Sequence, residues 1–88
     1  MTDTLDRLRE RLAELDVQLL ATVNARLETV RDVWAHKREA GLPLLDPERE
    51  SWLVENLVSA NAGPLSPAGA EQLCRFVLDL TKQEVFVA

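Results

Sequence analysis

The sequence predicts an all-α fold, one domain over residues 1–88 made of one long helix and two shorter ones. Three observations predict it. Apolar residues recur at three- and four-residue steps from Leu5 to about Lys37, an Asp-Pro and a Ser-Pro pair each open a new helix downstream, and glycine and aromatic residues are scarce.

In the first segment the periodic positions are Leu5, Leu8, Leu12, Leu15, Leu19, Val23, Leu27, Val30, Val33 and Trp34, all on one face of a single helix. No Gly or Pro interrupts it; Asp3 or Thr4 is placed to cap its start, and Gly41 and Pro43 end it. At about 1.5 Å per residue this helix runs roughly 50 Å, too long for a small domain to cover, so a partner chain is expected over part of it. Asp46-Pro47 opens the second helix, with a carboxylate to cap free N–H groups and Pro at the first helical position, and the helix continues to about Ala60. Residues 61–65, Asn-Ala-Gly-Pro-Leu, break it. Ser66-Pro67 repeats the opening for a third helix carrying Leu73, Val77, Leu78, Leu80 and Val85, and Val85-Phe86-Val87 is read as a helix end rather than a strand.

Ten basic against fifteen acidic residues give a net charge of −5, which argues against nucleic acid and anionic membrane as partners. Any anion the chain binds must meet a local basic pocket. The single cysteine, Cys74, lies in an apolar pattern and reads as a small buried hydrophobe, which fits a reducing compartment. The N-terminus has no apolar core of a signal peptide and no run approaches a membrane span, so a cytoplasmic protein is expected.

Four charged residues fall inside the apolar arc of the first helix: Arg9, Asp16, Arg26 and Lys37. Burying a lone charge costs several kcal/mol, so each must be paired, reach solvent or meet a ligand. Near the helix ends, Arg9 and Lys37 can snorkel and Asp16 can pair with one of them or cap a neighbour; Arg26, in mid-helix, has no such exit. Three cations and one anion on an inward arc of an acidic chain are what an anionic ligand requires. Arg26 and Lys37 stand roughly 16 Å apart along the axis, close enough for both to reach one small molecule. Arg9 lies roughly 25 Å from Arg26 and joins them only if a second copy runs antiparallel across the first, as in a two-fold dimer with shared sites. In the second helix Arg49 and Glu50 flank the side that carries Leu53, Leu57 and Ala60, either as part of the same site or as a solvated helix start.

These residues carry a resemblance. Leu8-Arg9, Leu15-Asp16, Arg26, Lys37, Gly41-Leu42-Pro43, Asp46-Pro47-Glu48-Arg49-Glu50 and Gly63-Pro64-Leu65-Ser66, in this order and spacing, make the chain similar over essentially its whole length to the all-helical (type II) chorismate mutases. The resemblance implies an intertwined helical homodimer that converts chorismate to prephenate, an isomerase of the shikimate pathway at the branch toward aromatic amino acids, with no metal or cofactor. It further implies that Arg26 and the second subunit's Arg9 grip the two carboxylates of the dianionic substrate while Lys37 donates to the ether oxygen. The Asp46 backbone and the Glu50 carboxylate would hold the ring hydroxyl, with Arg49 in support and Thr81 in place of a family serine. Such roles suit a pericyclic rearrangement, which needs a flexible dianion held in a reactive chair and donors at the oxygen whose bond breaks.

Two positions depart from the family. Val85 stands where a Gln or Glu usually shares the ether oxygen; either a register shift brings Gln83 or Glu84 inward, or the site's reaction is weakened or altered. Trp34, where small residues are common, is either core or narrows the pocket. Two alternatives follow. One is an enzyme acting on 4-amino-4-deoxychorismate, or a lyase acting on isochorismate, although Asp46 and Glu50 favour a ring hydroxyl. The other is a non-catalytic helical dimer, or a weak mutase activated by a partner enzyme of the pathway.

Overall fold

A computed structural model describes residues 2–86, with side chains over 3–85, as three helices: α1, Thr2–Ala40; α2, Pro47–Ala60; and α3, Pro67–Phe86. Helix α1 begins before Leu5 and continues past Lys37, because a helix runs on until a breaker stops it rather than to its last apolar residue. Asp3 and Thr4 therefore lie inside α1 instead of capping it, with the Asp3 carboxylate in the first turn where it favours the positive end of the helix dipole. Val85 and Phe86 end α3 in helical conformation, and Val87 lies outside the described residues.

The end of α1 is a Schellman motif. Gly41 N donates to the Arg38 carbonyl at 3.2 Å and Leu42 N donates to the Lys37 carbonyl at 2.8 Å, with Gly41 at φ 69°. This stop fixes the turn that carries Lys37. A Cβ added at Gly41 meets nothing within 4 Å, so Gly41→Ala is opposed by backbone conformation alone. We expect a loss of about 1–2 kcal/mol, read as a lower urea midpoint at unchanged slope, and a smaller loss for Gly41→Asn.

The two shorter helices start as their sequences dictate. Asp46 Oδ1 accepts from Arg49 N at 3.1 Å with Pro47 in the first turn, and Ser66 Oγ accepts from Gly69 N at 3.0 Å with Pro67 in the same role. Between them Asn61 organises the turn, donating from Nδ2 to the Leu65 carbonyl at 2.7 Å and accepting from Gly63 N at 3.3 Å.

Helix α3 is the shared element, packed on both α1 and α2. Among the described residues the buried hydrophobic ones are Trp34 of α1, Val54 of α2 and Ala70 of α3, and Thr81 of α3 is buried with them. This is a small core. The Cα radius of gyration is 16.7 Å, against about 12 Å for a compact domain of this length, and the chain extends 60 × 27 × 18 Å. The excess is the first half of α1. Every side chain from Asp3 to Thr22 is exposed, including Leu5, Leu8, Leu12, Leu15 and Leu19 on the predicted apolar stripe. Leu12 is 59% exposed, so the residues that should build a core have no cover within the described chain.

Candidate active site

Where α1 ends and α2 begins, both meet the C-terminal half of α3 and enclose a cleft of about 120 Å³. Lys37, Asp46, Arg49, Glu50, Thr81 and Lys82 supply its polar lining, and Val30, Trp34, Leu44, Leu45, Leu53 and Leu78 its apolar walls. Each polar residue is aimed by something local. The Lys37 ammonium donates to the Leu44 carbonyl at 3.4 Å, across the turn that the Schellman motif folds back, and has two further protons to offer. Asp46 is held by its capping bond, and the Arg49 guanidinium lies 3.9 Å from the centroid of the exposed Trp52 ring. Glu50 accepts from Lys82 of α3, with Nζ 2.9 Å from Oε1 and 3.1 Å from Oε2.

Thr81 has a more specific task. Its hydroxyl donates to the Val77 carbonyl one turn back at 2.7 Å and accepts from Arg26 Nη1 at 2.6 Å. A hydroxyl has one proton, and Val77 takes it. Thr81 is therefore arranged to position the guanidinium of Arg26, half-buried in mid-helix, at the edge of the cleft.

Three cations and two anions line the cleft, so it carries one positive charge in excess, and Arg26 beside it makes two. The charge suits a small dianion. The structure thus brings Arg26, Lys37, Asp46, Arg49, Glu50 and Thr81 together from three helices. It does not bring Arg9, which is exposed on the bare half of α1, roughly 25 Å from Arg26 along the axis. Asp16 is exposed on that same half. Val85 is half-buried on α3 and is not part of the cleft wall. Helix α3 continues unbroken through it and leaves Gln83 and Glu84 exposed, so no shift of register carries either inward. Trp34 is at once core and wall, 8% exposed and lining the cleft.

Residues 8–84 match the family model described as chorismate mutase type II. The chain belongs to that family. Among relatives of the family, the bifunctional chorismate mutase/prephenate dehydratase of Pseudomonas aeruginosa is 32% identical over 81 residues, covering 86% of this chain and 22% of that protein. The chorismate mutase of Methanocaldococcus jannaschii is 30% identical over 57 residues, covering 65% of this chain and 58% of that one. The chain thus spans about a fifth of the first curated relative and somewhat over half of the second. The structure of chorismate mutase from Thermus thermophilus superposes with a TM-score of 0.84 at 23% identity, over 88% of this chain and 96% of that one, which establishes the same fold.

Lys82 is the cleft residue that sequence reasoning missed. The signal was present, because Lys82 follows Leu78 by four residues and precedes Val85 by three, a charge on the apolar side of α3. Among the described residues no helix is long and apolar enough to cross a membrane.

Proposed function

We propose that the chain is a chorismate mutase that rearranges chorismate to prephenate as half of a two-fold dimer. The observation that carries this reading is the convergence of Lys37, Glu50 and the Thr81-held Arg26 at one cleft with a net positive charge. The type II family supplies the substrate class.

The reaction is intramolecular. The ether C–O bond breaks as a new C–C bond forms, electrons move around a six-membered ring, and no group enters or leaves. The protein must hold the two carboxylates so that the reacting carbons meet, and must stabilise the negative charge that grows on the ether oxygen. Arg26 grips one carboxylate, pre-aimed by Thr81. Lys37, at the capped end of α1, has protons to donate to the ether oxygen. Glu50 and the Asp46 backbone take the ring hydroxyl, and Arg49 adds charge at the cleft mouth. Such donors, fixed before substrate arrives, do not have to be reorganised during the reaction, and each is worth about a hundredfold or more in rate.

Arg9 completes the site from the second subunit. Antiparallel packing of two copies of α1 covers the bare leucine stripe and carries the Arg9 of one chain toward the Arg26 of the other. The charge balance supports this, since Arg9 raises the site's excess from two positive charges to three and leaves it positive around a bound dianion. A cytoplasmic location and coupling to a neighbouring enzyme of aromatic biosynthesis agree with this reading.

The test is direct. Purified protein incubated with chorismate should form prephenate, followed by loss of chorismate absorbance and by conversion of the product to phenylpyruvate in acid. Chorismate consumed no faster than in buffer would overturn the proposal.

A further inference from the structure

The proposed mechanism gives Lys82 no part, yet its ammonium spans both oxygens of the Glu50 carboxylate, from α3 to α2. The two side chains are 38% and 32% exposed, mostly withdrawn from water. Both line the cleft with Lys37 and Thr81, and both also line an outer groove with Pro47, Ser51 and Arg75. The pair is a wall between two hollows. A pair so placed holds together because each charge answers the other's desolvation, so Glu50 is fixed in direction. Each carboxylate oxygen has a second lone pair, so Glu50 can still accept a hydrogen bond from the cleft side.

We infer that Lys82 determines which ring substituent the site accepts, holding Glu50 as an acceptor for a neutral hydroxyl and excluding an ammonium group. This rests on the mutase reading, which places the ring substituent at Glu50. A hydroxyl needs only an oxygen that accepts its proton. An ammonium needs a partner whose negative charge is not already balanced, and the charge of Glu50 is balanced by Lys82. A second cation brought to the same carboxylate loses part of its hydration and meets the Lys82 charge across a few ångströms. Lys82 is thus a positioning residue that acts through Glu50, and its effect is a repulsion against the wrong substrate more than an attraction to the right one. The alternative substrate with a ring amine, 4-amino-4-deoxychorismate, is the compound it excludes.

The experiment compares chorismate and 4-amino-4-deoxychorismate on the wild-type protein, Lys82→Met and Lys82→Arg, by initial rates and by calorimetric affinity, with thermal unfolding to show that each variant is folded. The wild type should prefer chorismate by about tenfold or more in kcat/KM, and Lys82→Met should shrink or invert that preference by at least about tenfold, chiefly through KM for the amino compound. Lys82→Arg should restore it. A role confined to holding α2 against α3 lowers both substrates together, so a folded Lys82→Met protein whose preference stays within about twofold of wild type overturns the inference. If the wild type binds both compounds but turns over neither, the mutase reading falls while the affinity ratios still decide the inference. If it binds neither, both fall.

Discussion

Leu12→Asp is expected to abolish dimerisation and with it the ordered structure of the bare half of α1. Leu12 is in the middle of the bare stripe and 59% exposed in the isolated chain, so the substitution removes little burial within the subunit. Any effect must come from outside it. In an antiparallel pair the stripe is buried, and each aspartate forfeits about 2 kcal/mol of leucine burial and adds an unpaired carboxylate to an apolar seam. Two-fold symmetry counts the change twice, so the dimer Kd should rise by thousands-fold rather than by a small factor. Sedimentation across a concentration series reads the dissociation, and circular dichroism reads the helix lost when half of α1 is left without cover. Gln18→Asp is the control, since it puts the same charge on the exposed opposite face of the same helix segment. A Leu12→Asp protein that sediments like the Gln18→Asp protein shows that the stripe is covered by something other than a second copy.

The fold could be read from the sequence because its signals are local. Gly41, Asp46-Pro47 and Ser66-Pro67 stop and start helices through backbone chemistry that depends on no distant contact, and the structure places helix ends at each of them. The start of α1 is the exception. Its apolar period begins at Leu5, but nothing before it breaks a helix, so the helix starts at Thr2. Arg26 stood out for the same reason that Leu12 did, by its position on the stripe. What the sequence could not supply is pairing between helices. The bond from Arg26 to Thr81 spans 55 residues and that from Lys82 to Glu50 spans 32, and no periodicity within one helix identifies such partners. Thr81 therefore reads from sequence as a ligand residue, whereas in the structure its only proton is committed to Val77 and its oxygen to Arg26. Lys82 carries a charge on the apolar face of α3, but its partner Glu50 lies on another helix, 32 residues away.

Arg9→Ala and Arg26→Ala are each expected to be inactive alone and active when mixed. In the proposed site each removes a charged donor to a substrate carboxylate, a loss of about a hundredfold or more in kcat/KM, and neither should unfold the chain, since Arg9 is exposed and Arg26 is tied to α3 by its hydrogen bond to Thr81. If a site takes Arg26 from one chain and Arg9 from the other, a heterodimer of the two variants has one site with both defects and one with neither. Equal mixing with full exchange makes about half of the dimers mixed, so about a quarter of wild-type activity should return. That recovery is a number set by symmetry rather than by any energy, which makes it difficult to imitate. Two exchanging populations that stay inactive, with heterodimers demonstrated by differently tagged chains, place Arg9 outside the site. In that case the positive excess around the cleft rests on Arg26, Lys37, Arg49 and Lys82, and the bare half of α1 serves assembly without serving catalysis.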